Sequence, residues 1–403
     1  MCDIIQNMVC LACGSDNLLS ALDLGEQPLA NSYPYTPTQQ ENRYPLAVNL
    51  CNNCYHLQLT HTVNPSILFK DYIYVSGTST TLKAYSDWFA AYVDETISKK
   101  HNRILDIGCN DGSQLDSFKD FGYDTWGVDP AENIYPLSSK NHSIVCDFFG
   151  SSSLNKLNVG FDAICGQNVL GHNYNPLAFL ETCKQLMDDK TFLFIQTSQA
   201  DMVLNNEFDT IYHEHISYFN INSMNCLANR AGLNLIDAIK VPIHGNSYVF
   251  VFSKTVKKKY NIINKIAMEK PLTQLATYQV WEMNVKTNMQ NLKNTVDSYH
   301  NQGYAIVGYG AAAKGNTLLN YIDLKMDVIL DDNQLKHNRY TPGTMIPIRP
   351  PEFLNNYTIN SKILFVPLAW NFFDEISARI KKIRNQPHDV FLKYFPTVEI
   401  IDV

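Results

Sequence analysis

Apolar residues recur in strand-length runs, each followed by a helix-length stretch, through the middle of the chain. "RILDIG" (103–108), "TWGVD" (125–129), "FDAICGQN" (161–168) and "TFLFIQT" (191–197) are such runs. Just before them, "TTLKAYSDWFAAYVDETIS" (80–98) repeats its apolar positions at helical spacing. This alternation predicts a parallel sheet with helices on its faces. Residues from about 260 to 300 predict a long helix or a helix pair, ended by Gly303. The alternation then resumes with "YAIVGYGAAAKGNTLLNYI", "MDVILDDN" and "KILFVPLAW". Asp129 lies 21 residues after Gly108 and Asp331 lies 23 after Gly308, so two Rossmann-like units are expected. Residues 1–75, rich in Pro, Asn and Tyr, predict short strands and loops.

At 403 residues the chain suits two or three domains rather than one core. Its composition is globular, with 45% hydrophobic residues, 18% charged and a net charge of −7. The negative balance argues against nucleic acid as a partner, and Lys257–Lys259, the one compact basic run, suits a solvated turn. No signal peptide is expected from the first 30 residues. No apolar run reaches the ~18 residues needed to span a bilayer. A soluble cytoplasmic protein without membrane contact is therefore expected.

In a reducing compartment the ten cysteines become informative. Cys10-x-x-Cys13 and Cys51-x-x-Cys54 are separated by 37 residues. Paired knuckles of this kind predict one tetrahedral zinc ion. Four thiolates leave no open position, so the ion is expected to be structural, stapling a segment too small to hold itself. The fold class expected is thus α/β: a small zinc-binding module (1–75), a class I methyltransferase-like Rossmann domain (76–255), and a helical linker with a second Rossmann-like domain (256–403).

The methyltransferase reading comes from "ILDIGCNDGSQL" (104–115). Gly108 and Gly112 let the chain turn tightly and approach a ligand at a helix start. Asp106 precedes the turn, and Asn110 and Asp111 lie within it. Acidic residues here suit the ammonium and sulfonium groups of S-adenosylmethionine better than a pyrophosphate. Asp129 ends the next strand, where it can accept both ribose hydroxyls. Asp147 and Phe148 are candidates for the adenine amine and ring, and Asn168 completes the expected cofactor contacts.

"FDTIYHEHISYF" (208–219) sets His213, Glu214 and His215 between two tyrosines. It can bind metal, move a proton, or lie inertly in a strand. In an extended segment His213 and His215 share one face and Glu214 the other; in a loop all three can converge. It lacks the HExxH spacing of a zinc protease.

With the knuckles, the methyl-donor turn and "YHEH" in this order, the chain resembles the sugar C-methyltransferase family over essentially its full length. "YIYVSGTS" (72–79), "NVLGHNYNP" (168–176) and "GYGAAAKGNTLLNY" (308–321) are similar to that family's signatures. The resemblance implies a C-methyltransferase acting on a nucleotide-diphospho-4-keto-deoxysugar. Carried over by position, its site residues are Tyr212, Glu214, His215 and His172, with an active-site tyrosine at Tyr72 or Tyr74. His215 suits the base that removes the proton beside the ketone. Glu214 would orient it or hold a sugar hydroxyl, and Tyr212 and His172 would donate to the developing enolate. For Gly308-x-Gly310-x-x-Ala313 with Lys314, a dinucleotide, the substrate's diphosphate and no ligand all stay open. So do methylation of oxygen or nitrogen and a non-catalytic scaffold, although Asp106, Gly108 and Asp129 argue against the scaffold.

Overall fold

The computed structural model describes residues 3–68, 80–197, 200–243, 246–255 and 262–402. Tyr72, Tyr74, the rest of "YIYVSGTS" and Lys257–Lys259 lie outside the described residues.

Five strands open the chain: β1 (Ile4–Gln6), β2 (Leu18–Pro28), β3 (Arg43–Cys51), β4 (Leu57–Leu59) and β5 (His61–Val63). β1 pairs with β5, while β2, β3 and β4 form an antiparallel sheet. Alternate residues of β3 are buried, as the period of two requires (Tyr44, Leu46, Val48, Leu50). Tight turns bring the two Cys-x-x-Cys pairs together, with Gly14 N–H donating to Cys10 O and Tyr55 N–H to Cys51 O (both 2.8 Å). The four Sγ atoms lie within 4.8 Å of one another, Cys10 to Cys54 at 3.6 Å and Cys13 to Cys51 at 3.5 Å. A tetrahedral ion with bonds of about 2.3 Å would set its sulfurs about 3.8 Å apart. The cluster fits zinc.

The central unit begins with helix α1 (Thr80–Thr96) and strand β6 (Arg103–Ile107). It continues through α2 (Ser113–Lys119), β7 (Asp124–Asp129), β8 (Ser143–Cys146), β9 (Ala163–Gln167), α3 (Pro176–Leu186) and β10 (Phe192–Thr197). β11 (Ser217–Tyr218) leaves this unit and joins β4 at the edge of the first sheet. After α4 (Ile221–Ala231), β12 (Asn234–Val241) and β13 (Ser247–Ser253) close a sheet of order β12-β13-β10-β9-β6-β7-β8. β6 to β10 run parallel, as the alternating pattern predicts. The sheet is not wholly parallel: β13 pairs antiparallel with both β10 and β12. A loop of residues 242–246 is too short for a crossover helix, so β12 and β13 form a hairpin. Helices α1 and α2 cover one face, and α3 and α4 the other.

The predicted long helix is α5 (Leu275–Asn301), preceded by a short helix at Ile262–Met268. Its buried residues Tyr278, Trp281, Val285, Met289, Leu292 and Val296 form one helical stripe. The last unit holds β14 (Ala305–Tyr309), α6 (Ala313–Ile322), β15 (Val328–Leu330), β16 (Ile348–Arg349), β17 (Ile363–Pro367), β18 (Val390–Lys393) and β19 (Glu399–Asp402). Its sheet order, β16-β15-β14-β17-β18-β19, reverses direction between β14 and β17, as in a doubly wound sheet. One core runs through N-terminal Leu22 and Val48, the connecting Phe208 and Ile211, Trp281 of α5 and Leu318 of α6. Among the described residues no helix is long and apolar enough to cross a membrane.

Because closed thiolate sites contribute directly to folding, Cys51→Ser should lose the ion and leave the N-terminal sheet loose and the protein poorly soluble. Elemental analysis of protein purified without chelator should find one zinc per chain. Finding none would remove the metal from the fold.

Candidate active site

The turn after β6 is built around two left-handed glycines, Gly108 (φ +71°) and Gly112 (φ +84°). A Cβ on Gly108 would lie 2.6 Å from Val169 Cγ2, and one on Gly112 would lie 2.9 Å from the His142 ring. Gly112 caps α2, whose first turns face the turn's concave side. Asp129 orders the same turn from β7: Oδ2 accepts the Asn110 N–H and Oδ1 the Ala131 N–H, both at 2.9 Å. Asn110 and Asn168 both adopt positive φ, and Asn168 N–H donates to Gln196 O at 2.9 Å. Asp147 accepts from its neighbour's N–H and pairs with Lys156 at 3.1 Å, while Phe148 stands exposed beside it. Asp106 is 3% exposed. Burial first, and then the charge of Asp129, push its carboxyl up to about 8. A buried carboxyl facing a second one is relieved by a cation. The turn therefore fits the sulfonium and ammonium groups of S-adenosylmethionine.

The "YHEH" stretch is a loop rather than a strand, closed by the His215 N–H bond to Tyr212 O (2.8 Å). It does not bring all its polar groups together. His215 Nδ1 lies 2.9 Å from Thr210 O. A carbonyl only accepts, so Nδ1 carries the hydrogen and the neutral ring presents Nε2 as its basic end. That Nε2 receives the Tyr212 hydroxyl at 2.6 Å. The His172 ring sits edge-on to His215, 4.8 Å between centroids, and burial lowers its pKa to about 4. Glu214 is buried and accepts from Asn31 Nδ2 at 2.7 Å; burial raises its carboxyl and the Asn31 bond opposes that rise. His213 points elsewhere: 1% exposed, it donates from Nε2 to Tyr44 O (3.2 Å). Among the described residues the Cys10–Cys54 group alone has metal-ligand geometry, so this loop is no metal site.

Comparison with known proteins agrees with this arrangement. A model described as a zinc binding domain matches residues 10–69, a methyltransferase domain model matches 80–238, and a C-methyltransferase C-terminal domain model matches 242–396. C-methyltransferase NovU of Streptomyces niveus is 26% identical over 395 residues, covering 91% of this chain and 90% of its own. The chain belongs to the C-methyltransferase family that its motifs resemble. A ubiquinone biosynthesis O-methyltransferase of Glaesserella parasuis is 29% identical over 119 residues, covering 27% of this chain and 50% of that one. A solved S-adenosylmethionine-dependent methyltransferase from Clostridium acetobutylicum is 12% identical, covering 44% of this chain and 92% of its own at a TM-score of 0.35. The protein is thus an S-adenosylmethionine-dependent methyltransferase with a structural zinc site.

In the C-terminal unit of this C-methyltransferase the cofactor turn is repeated bond for bond. Gly310 N–H donates to Leu330 O (2.7 Å), as Gly108 N–H does to Val128 O (2.8 Å). Asp331 accepts Ala311 N–H on Oδ2 (2.7 Å) and Asn333 N–H on Oδ1 (2.8 Å), the pattern of Asp129. Here, however, the protein fills its own turn. Lys336 Nζ donates to Ala311 O at 2.8 Å and lies 3.4 Å from Asp331, and the Tyr33 hydroxyl donates to Ala311 O at 2.6 Å. Lys314 lies over the Trp370 ring at 5.2 Å, and its charge opposes the rise of the buried Glu207 and Asp209 carboxyls. Sequence reasoning missed Asn31, Tyr33 and Asp209, since no spacing ties them to residues far along the chain.

The Asp106 carboxyl yields a pH prediction. Without ligand it keeps its proton below about 8, whereas a cationic ligand favours the carboxylate. Binding at pH 6.5 should therefore expel a proton, and affinity should rise with pH until it levels off near 8. Calorimetry in buffers of different protonation heat should show about one proton more released by the parent than by Asp106→Asn. Equal release from the two would uncouple Asp106 from the donor.

Proposed function

We propose that the protein methylates the carbon beside the ketone of a nucleotide-diphospho-4-keto-deoxysugar in the cytoplasm, with His215 as the base. The observation that carries this reading is the paired orientation of Tyr212 and His215, with Nδ1 held by the Thr210 carbonyl and Nε2 facing a phenol. C-methylation needs a proton acceptor near the carbon and a hydrogen-bond donor near the ketone oxygen, and this pair supplies both. Before reaction, the Tyr212 O–H donates to Nε2. When Nε2 takes the substrate proton, the new N–H donates to the phenol oxygen instead. The phenol hydrogen then turns to the enolate oxygen as its charge develops. Bound S-adenosylmethionine supplies the methyl group. Thr210 keeps the ring in place through both charge states, because Nδ1–H donates in each. Glu214, held by Asn31, suits a sugar hydroxyl, and His172, kept neutral by burial, suits the positioning of the enolate edge. Tyr72 and Tyr74 remain candidates for a further sugar contact.

Incubation with labelled methyl donor and a panel of nucleotide 4-keto sugars, with the new methyl located by NMR, tests the substrate class. Transfer to oxygen or nitrogen, or to none of the panel, would overturn it. For the base, protein holding S-adenosylhomocysteine and substrate in deuterated water should exchange the proton beside the ketone. His215→Gln should slow that exchange and methylation together by roughly 10²–10⁴, leaving donor affinity intact. Exchange at the parent rate would move the base to Glu214 or His172.

A further inference from the structure

On the face of the central sheet covered by α1, polar side chains gather at the carboxyl ends of the strands. Alternation along β10 sends Phe192 and Phe194 to that face, against Phe89 and Phe118, and Gln196 follows in the same phase. Its register partner on β9 is Gln167. Asp106 of β6 is in register with Cys165, one pair deeper on that face. Gln167 donates from Nε2 to Gln114 Oε1 at 2.7 Å, and Gln114 donates to the Ser86 carbonyl of α1 at 3.2 Å. Two groups beside this chain have no partner among the described residues. Gln196 is 0% exposed, and neither its Nε2 nor its Oε1 is hydrogen-bonded. The buried Tyr85 hydroxyl on α1 is likewise without a partner. Tyr85 belongs to the same cluster: after burial itself, the Cys165 thiol is what raises its phenol, and the same thiol feels Asp106.

Folded chains rarely bury a carboxamide with both ends unsatisfied, and such a group calls for an explanation. Here it stands beside a second unsatisfied group and on the face of Asp106, at the strand ends where doubly wound sheets bind ligands. The chemistry needed is that of an α-amino acid, whose carboxylate only accepts and whose ammonium only donates. A carboxamide offers a donor and an acceptor, a phenol adds a donor, and a carboxylate adds an acceptor. Given the cofactor, we propose that Gln196 and the Tyr85 hydroxyl bind the amino-acid end of S-adenosylmethionine, donating to its carboxylate, while Gln196 Oε1 and Asp106 face its ammonium group.

The test compares two ligands by calorimetry on the intact protein. S-adenosylhomocysteine keeps the amino-acid end; 5′-methylthioadenosine keeps the nucleoside and thioether but lacks it. Gln196→Leu should weaken S-adenosylhomocysteine about tenfold, the size of a hydrogen bond to a charged group. Tyr85→Phe, which preserves the ring packing, should weaken it by roughly threefold or more. Both variants should bind 5′-methylthioadenosine within about twofold of the parent, and ligand-free Gln196→Leu should melt no lower than the parent, having lost an unsatisfied amide. Equal losses for the two ligands would mean a disturbed fold and would overturn the assignment. Unchanged affinity for both, as expected if the amide only holds a buried water, would overturn it as well.

Discussion

A buried stretch of chain without regular structure must find partners for its polar groups outside itself, and Glu207–Ile216 is such a stretch. Its needs organise the whole molecule. Trp281 of α5 donates to Glu207 O, Trp370 to Asp209 Oδ2, and Thr317 of α6 to Ile211 O. From the zinc module, Asn31 reaches Glu214, and Tyr44 O receives His213. From the central unit, Gly171 O receives the Ile216 N–H. The catalytic loop is thus fixed by all three parts of the chain. Any movement between them would break a buried hydrogen bond, which costs more than the bond's net worth when it leaves a group unsatisfied. That gives the zinc ion a role at a distance: it holds the sheet from which Asn31 and Tyr44 reach the loop.

The two Rossmann-like units share a backbone solution but not an occupant. Asp129 and Asp331 each order a glycine turn with two accepted N–H bonds, one to the turn and one two residues along. In the first unit Asp106 stands in the strand before the turn, so negative charge accumulates and a cation is attracted. In the second, Gly308 flanks no such carboxyl, and Lys336 supplies the positive charge internally. Tyr33 then covers the turn's carbonyl. The same geometry that binds a ligand in one unit binds the protein's own N-terminal segment in the other. Recognition there has become part of the fold.

What was legible in the sequence was local. Two thiolates three residues apart define a knuckle, and four consecutive apolar residues after a turn define a buried strand, whatever the rest of the chain does. The zinc cluster and strands β6, β7, β9, β10, β14, β15 and β17 follow from such signals. The hairpin of β12 and β13 did not, because a continuous apolar run does not carry the direction of its strand; the short loop between them decides it. Contacts of the site were least legible. Asn31 and Glu214 are 183 residues apart, and Tyr33 and Ala311 are 278 apart. Nothing in a polar loop such as "LANSYPY" states which distant atom it will meet.

The same distinction explains why one histidine of the pair suits a base. Alternation alone treats His213 and His215 as equivalents on one face. In the loop they differ by what each ring nitrogen is given. His213 donates from Nε2 to Tyr44 O, and its Nδ1 is buried without a partner, so burial holds the ring neutral with its basic end sealed from any substrate. His215 has the reverse assignment. Its donor end is bound to Thr210 O, and its basic end meets a phenol whose own hydrogen can turn elsewhere. A proton acceptor needs a lone pair that the substrate can reach and a partner that tolerates the added charge. His215 has both because the turn of the backbone from Tyr212 to His215 sets the two rings 4.0 Å apart. The selection between two neighbouring histidines is therefore made by main-chain carbonyls, Tyr44 for one and Thr210 for the other, and not by the histidines themselves.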